Sequence, residues 1–321
     1  MSFVIPDELF HGVLTVEDGY PCRLTPCVRS FFAEKSKEFA DRSGCTAGVH
    51  IRFRSAAQKL HALFRAECFC RSQNVVDIYE NGIQTGSVRL ADMQSHAEMN
   101  FISPGTGFRE FDLWLPNTCG LRLVDFDFGE YEAIPKNQKK LLLLGDSILQ
   151  GICSYHPSNA LANQISISWG ADCVNQSVGG ASYMPETLEP VDFPPDHILV
   201  ALGANDSYEL REVWEKKIPV YYGKLRELNP HTPVITITPI WNARLKWDEN
   251  YKENIHAVRE CIQVQAAKYS ISMIDGLSLV PHSERFFNED GCHPNDMGFL
   301  RYSLSLMQNP EWIRWKDSSR I

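Results

Sequence analysis

The stretch Lys139-Lys140-Leu141-Leu142-Leu143-Leu144-Gly145-Asp146-Ser147 constrains the fold most. An unbroken apolar run of strand length is suited to burial on both faces, which is the situation of a central strand in a parallel sheet. Gly145 ends that run, and Ile148-Leu149-Gln150 continues it as helix, so a tight strand-to-helix turn is expected at Ser147. A serine there has its hydroxyl at the carboxyl edge of the sheet. Its N–H lies at a helix N-terminus, where developing negative charge is stabilised. Two readings of Ser147 follow: a nucleophile, or simply an N-cap, since Ser is among the preferred capping residues.

Downstream the texture is strand, helix, strand. Strands are expected at Lys140 to Leu144, Asp172 to Asn175, His197 to Leu202, Val234 to Thr238 and Ile271 to Asp275. Between them Ile218, Tyr221, Leu225 and Leu228 recur at helical spacing near Glu212 to Leu228, as do Ile255, Val258 and Ile262 near Glu253 to Lys268. Such alternation predicts a parallel sheet with helices on both faces, joined by right-handed crossovers. Active sites of these folds gather outside the carboxyl ends of the strands.

Upstream the periodicity is different. Val49 to Phe53 alternates, Val75 to Tyr79 leads into Asn81-Gly82, Phe111, Leu113 and Leu115 recur at period two, and Leu121 to Phe128 follows. Asn-Gly between apolar runs is a strong hairpin signal, and several short strands of this kind indicate an antiparallel sandwich. One helical patch is expected near Phe31 to Ala40, whereas Ala91 to Phe101 has no readable period. The polar, proline-bearing segment Ile134 to Lys140 separates the two textures, which places a domain boundary there: a β-sandwich over 1–136 and an α/β domain over 137–321.

Charge and cysteine usage narrow the chemistry. A net charge of -9 over 321 residues leaves no basic stripe to neutralise phosphates, so neither nucleic acid nor an anionic membrane is expected as partner. Ten scattered cysteines, at 22, 27, 45, 68, 70, 119, 153, 173, 261 and 292, contain no Cys-x-x-Cys pair of the kind that builds a structural zinc site, and read as reduced thiols. Met1 to Leu14 lacks a basic leader, and no segment reaches the roughly 20 apolar residues a membrane span requires. A cytoplasmic location is therefore expected.

Four short blocks fall at the expected strand ends: Gly145-Asp146-Ser147, Asn175 to Ser182, Gly203-Ala204-Asn205-Asp206, and Asp290-Gly291-Cys292-His293-Pro294. Acyl transfer through serine needs a base, a carboxylate to orient it, and donors for the tetrahedral oxyanion. His293 can act as the base and Asp290 as its orienter, since their spacing lets one turn present both to Ser147. The N–H groups of Ser147 and Gly180 and the Asn205 amide would form the oxyanion hole, where each donor is worth roughly a hundredfold to a thousandfold in rate.

These blocks, in this order, resemble the four blocks of the SGNH (GDSL-like) hydrolases, over about Lys139 to Met307. The resemblance implies a flavodoxin-like three-layer domain, Ser147 as nucleophile, Gly180 and Asn205 as oxyanion donors, Asp290 and His293 completing the triad, and no cofactor or metal. Tandem glycines leave Gly179 as an alternative to Gly180. An ordinary α/β-hydrolase does not fit, because position 149 is Leu where Gly-x-Ser-x-Gly requires glycine. A strand-rich N-terminal half with Phe111-Asp112-Leu113-Trp114 near its end is similar to the jelly-roll-like β-sandwich module of two-domain bacterial esterases of this family, including carbohydrate acetylesterases.

The expectation is thus a serine esterase removing a short acyl group, most simply acetyl, from a sugar or other hydroxylated small molecule. An acyltransferase with the same triad and a non-catalytic carbohydrate-binding protein are the alternatives. Asp206 shapes the third-block turn or touches substrate. Trp241 walls the acyl or sugar pocket or packs at the domain interface. Cys292 beside His293 raises a metal or thiol nucleophile, but partner ligands at metal spacing are lacking.

Overall fold

A computed structural model of the protein describes residues 5–90 and 96–318. In the first half, β1 (Phe10–His11), β2 (Thr15–Glu17) and β3 (Tyr20–Cys22) precede two helices, α1 (Pro26–Lys35) and α2 (Lys37–Gly44). The single helical patch expected at Phe31 to Ala40 is broken at Ser36. That residue is extended (φ -172°, ψ 162°), closes α1 with its N–H on Phe32 O, and opens α2 by accepting from Phe39 N–H. A serine side chain that satisfies an orphan N–H makes a restart of the helix cheaper than its continuation.

Eight strands follow: β4 (His50–Ser55), β5 (Lys59–Phe69), β6 (Val75–Glu80), β7 (Ile83–Arg89), β8 (His96–Ile102), β9 (Arg109–Trp114), β10 (Cys119–Asp127) and β11 (Tyr131–Ala133). They form one antiparallel sheet of order β1-β4-β9-β6-β7, with β11 also on β4, and a second of order β10-β5-β8. Asn81 and Gly82 join β6 to β7 with φ of 50° and 80°. Both central residues having positive φ is the turn that Asn-Gly favours. Inward residues at period two, including Ile51, Phe53, Phe111 and Leu113 from one sheet and Leu60, Ala62, Phe64 and Leu121 from the other, make one buried core. The described part of the stretch without readable period is β8, whose buried residues Ala97 and Met99 alternate with exposed polar ones.

Residues 134–139 contain neither helix nor strand and lead into the second half. Here β12 (Lys140–Gly145), β13 (Asp172–Asn175), β14 (His197–Ala201), β15 (Val234–Ile237) and β16 (Ser272–Ile274) form a parallel sheet of order β13-β12-β14-β15-β16. The helices are α3 (Ser147–Gln150), α4 (Leu161–Trp169), α5 (Arg211–Leu228), α6 (Glu249–Lys268), α7 (Asp296–Met307) and α8 (Pro310–Lys316). Strand alternation sorts the leucine run between the two faces: Leu142 and Leu144 pack with α5 and α6, Leu141 and Leu143 with α4, α7 and α8. Each such side chain, fully buried, contributes about 1.5–3 kcal/mol relative to exposure.

Leu24, Val28 and Phe32, in or just before α1, pack into the same core as Leu142 and Leu144. The first half therefore supplies one helix of the covering layer over the parallel sheet, and α2 is carried to the carboxyl edge of that sheet. No helix among the described residues is long and apolar enough to cross a membrane.

Candidate active site

The turn after β12 is built on close packing. A Cβ on Gly145 would lie 2.7 Å from Leu149 Cβ and 2.9 Å from Ser177 Oγ, so only glycine lets the chain turn there. Asp146, not Ser147, is the N-cap of α3: its Oδ1 accepts from Ile148 N–H at 2.9 Å. Burial pushes the Asp146 carboxyl up to about 6 against the opposing Ile148 N–H and His293 charge. The Ser147 hydroxyl is thereby left free of capping. It lies 2.8 Å from His293 Nε2.

His293 is presented by the loop between β16 and α7. Asp290 organises that loop with one oxygen and the ring with the other: Oδ1 accepts from the N–H groups of Cys292 (2.9 Å) and His293 (3.0 Å), and Oδ2 lies 2.6 Å from His293 Nδ1. A carboxylate only accepts, so Nδ1 donates to it and Nε2 is left to accept the Ser147 hydroxyl proton. Burial acts to raise the Asp290 carboxyl, but the bonds from the His293 ring and the two N–H groups prevail and hold it well below the usual carboxylate range. Asp290 thus remains an anion that fixes the tautomer. Asn288 Nδ2 donates to His293 O at 3.2 Å and Pro294 O at 3.0 Å, and Ala243 N–H donates to Gly291 O at 2.8 Å, pinning the loop from both sides.

Of the tandem glycines, Gly179 has its N–H bonded to Gln150 Oε1 at 2.6 Å, while Gly180 N–H has no acceptor among the described residues. Gly180 holds φ of 84°, a conformation that favours glycine. Asn205 Nδ2 gives one hydrogen to Ala181 O at 2.9 Å, which orients the amide and leaves its second hydrogen available. Ser147 N–H likewise has no acceptor among the described residues. Three donors are therefore unspent in the turns that follow three adjacent strands of the parallel sheet.

Two sequence candidates lie elsewhere. Asp206 is completely buried, with both oxygens on Tyr183 N–H at 3.1 and 3.2 Å, so it braces the turn and presents nothing to a ligand. Trp241 is 5% exposed, stacked on His282 and edge-on to Phe287 within the core beneath the His293 loop. The tryptophan that faces solvent in this region is Trp247, 65% exposed, with the Arg244 guanidinium bridging it to Tyr208, which is itself 54% exposed. His197 is buried on Trp315 O, and burial pushes it down to about 4.

Asp206 carries a pH signature. Burial pushes its carboxyl from 3.8 up to about 7 against Lys217 and the Tyr183 N–H. A group whose pKa is higher folded than unfolded binds more protons in the native state. Its stabilising contribution is complete below about pH 4 and is lost as pH rises toward 7. Asp206→Asn, which keeps an oxygen for Tyr183 N–H, is expected to lessen the fall in thermal midpoint between pH 5 and pH 8. A fall as steep as that of the wild type would place the slope elsewhere.

Residues that sequence reasoning missed hold the site in place. Gln150 is fully buried and, besides Gly179 N–H, donates from Nε2 to Arg42 O (3.1 Å) and Asn117 O (3.3 Å). Arg42, on α2, reaches Gly179 O at 3.2 Å. Gln150 follows the apolar pair Ile148-Leu149 as an ordinary polar residue, and that position alone does not mark it. Among the described residues, Cys153, Asp290 and His293 form the group whose ligand atoms lie close enough for a metal, within 4.8 Å. Both His293 ring nitrogens are engaged there, so metal binding would require one of those bonds to break. Burial pushes the Cys292 thiol up to about 12, which keeps it protonated and a poor nucleophile.

Residues 143–300 match the model of the GDSL-like lipase/acylhydrolase family. None of the curated proteins matches the sequence. Among solved structures, the chain is similar to a salicylyl-acyltransferase from a tetracycline biosynthetic pathway (19% identity, 92% of each chain covered, TM-score 0.73). It is similar to a Bacteroides ovatus protein described as a GDSL-like lipase (21%, 92% of each chain, TM-score 0.74). An acetyl xylan esterase from the rumen bacterium Butyrivibrio proteoclasticus shares 17% identity over 84% of this chain and 91% of its own, with a TM-score of 0.59. At these identities the likeness is one of fold, and it extends through the β-rich first half.

Proposed function

Since residues 143–300 are a domain of the GDSL-like lipase/acylhydrolase family, we propose that the chain is an ester hydrolase that removes a short acyl group, acetyl foremost, from a hydroxyl of a sugar or sugar-like molecule. The observation that carries this reading is the continuous relay Asp290 Oδ2, His293 Nδ1, His293 Nε2, Ser147 Oγ, with separations of 2.6 and 2.8 Å. His293 takes the hydroxyl proton as Ser147 Oγ bonds to the ester carbon. The tetrahedral oxyanion accepts from Ser147 N–H, Gly180 N–H and Asn205 Nδ2. His293 then returns the proton to the departing alkoxide, and the alcohol leaves an acyl-serine. Water, deprotonated by His293, attacks the acyl-serine, and the carboxylic acid departs as Ser147 recovers its proton.

Support for a sugar-bearing alcohol comes from the exposed Tyr208 and Trp247 rings three residues beyond Asn205 and on the following loop, flat apolar faces of the kind that bind such ligands. Support also comes from the fold shared with an acetyl xylan esterase. The likeness to an acyltransferase favours one second reading, in which an acceptor alcohol replaces water in the last step. Hydrolysis of p-nitrophenyl acetate, butyrate and octanoate, followed by acetate release from acetylated xylo-oligosaccharides, tests the proposal. The expected order of kcat/KM is acetate above butyrate above octanoate. A preference for octanoate, or ester product appearing only when an alcohol is added, would overturn it.

A further inference from the structure

Next to the oxyanion loop lies a cluster that the proposed reaction does not use. Cys45, the residue that closes α2, has its Sγ 3.7 Å from Cys70 Sγ and is 1% exposed, while Cys70 is half-buried on the loop after β5. Cys68 stands beside them, its sulfur in a notch where a Cβ on Gly44 or Gly120 would come within 2.8 or 2.6 Å. All ten cysteines of the chain are free.

The setting of this cluster is unusual in one respect. Arg23 is 2% exposed and has no carboxylate partner among the described residues. Its guanidinium is spent on four carbonyls: Cys45 O (2.7 Å), Asn175 O (2.7 Å), Ser177 O (2.6 Å) and Arg42 O (2.9 Å). A buried cation without an anion is costly, and the groups around it that can become anionic are Cys45, Cys68, Cys70 and Tyr20. The cluster therefore favours a thiolate and disfavours a metal cation, which Arg23 would repel. The bond from Cys45, against the opposing effect of burial, together with Arg71, Arg42 and Arg23, draws the Cys70 thiol below its ordinary value, whereas burial holds the Cys45 thiol well above it. One sulfur is thus activated and accessible, the other protonated and adjacent.

We propose that Cys45 and Cys70 are a peroxide-sensitive pair whose disulfide slows the esterase reaction by shifting the oxyanion loop. The Cys70 thiolate sulfur attacks the O–O bond of a hydroperoxide, forming a sulfenic acid as the second oxygen leaves with a proton as water or alcohol. The Cys45 sulfur then attacks that sulfur. The S–O bond breaks, hydroxide takes the Cys45 proton as water, and the two thiols have given two electrons to the peroxide.

Bonding requires the sulfurs to close from 3.7 Å to about 2.05 Å, and in the proposed switch the backbone at Cys45 follows. Cys45 O and Arg42 O are tied through Arg23 to Asn175 O and Ser177 O, at the start of the loop that carries Gly180. Arg42 O is also held by Gln150, whose other end fixes Gly179 N–H. Displacement of α2's last turn is thereby passed to the proposed oxyanion donor, which acts on the transition state more than on substrate binding.

The activity arm of this inference rests on the proposed function, but the covalent arm does not, and the experiment reads both. Purified protein is treated with hydrogen peroxide, its remaining thiols are alkylated under denaturing conditions, and non-reducing digests are mapped by mass spectrometry. The expected result is a Cys45–Cys70 linked peptide, with kcat on p-nitrophenyl acetate about tenfold lower or less at little-changed KM and restored by dithiothreitol. Cys70→Ser should keep its basal turnover and resist peroxide. Recovery of both Cys45 and Cys70 as alkylated thiols, or a Cys45–Cys68 link in their place, would overturn the site. A linked pair with unchanged kcat would overturn the coupling. A protein without esterase activity would still show or fail to show the linked peptide, so the two readings fail separately.

Discussion

Ser147→Ala is expected to lower kcat for p-nitrophenyl acetate by about a millionfold, the loss seen when the serine of such a relay is removed in other enzymes. The geometry makes this a clean deletion. The hydroxyl contacts His293 Nε2 at 2.8 Å and does not cap α3, a task carried by Asp146. Ser147 is partly exposed at a turn, so no packed volume is lost. The change in stability should stay within about 0.5 kcal/mol, which corresponds to a thermal midpoint within about 2 °C of the wild type. Active-site titration with a fluorophosphonate probe supplies a second readout: the wild type should label with one equivalent and the variant not at all. Turnover by the variant within a hundredfold of the wild type would remove Ser147 from the reaction, and the remaining thiols would have to be searched for a nucleophile.

How far this arrangement can be read from the chain depends on the range of the forces that create each part. The leucine run at 141–144 and the helical periodicities of α5 and α6 are local patterns. They place the five parallel strands and α5 within one residue of the observed ends, and α6 with its start four residues late. The four blocks are likewise local, since each is the end of a strand followed by a turn whose glycine or Asx residue is dictated by backbone geometry. Bringing them together needs only the rule that parallel strands deliver their carboxyl ends to one edge.

What escaped is long-range. Gln150 meets Arg42 O across 108 positions, and Arg23 meets Asn175 and Ser177 across more than 150. Nothing in the local pattern of a lone Arg or Gln announces such partners. α1 escaped for the same reason, because a short amphipathic helix in a strand-rich half gives no sign that its apolar face belongs to the other half's sheet. Tryptophan was left open by its dual nature. An indole is large enough to fill a core and flat enough to serve a ligand, and sequence context alone does not separate buried Trp241 from exposed Trp247.

Asp290→Asn is expected to lower kcat about ten-thousandfold while leaving KM and fold nearly unchanged. The two carboxylate oxygens have separate duties. Oδ1 builds the loop by accepting from Cys292 and His293 N–H, and the asparagine oxygen can continue that bond. Oδ2 accepts from His293 Nδ1, and there the asparagine can place only its amide, which donates. The ring must then accept at Nδ1 and carry its proton on Nε2, facing the Ser147 hydroxyl it would have to deprotonate. Loop geometry is retained and the tautomer is reversed. If the carboxylate served merely to shape the loop, the variant would keep most of its activity. If it served only as a nearby charge, raising the ionic strength would reproduce much of the loss in the wild type. A steep fall in kcat with unchanged KM, insensitive to salt and partly relieved at high pH, where hydroxide can replace the base in deacylation, would identify Asp290 as the group that sets the His293 tautomer.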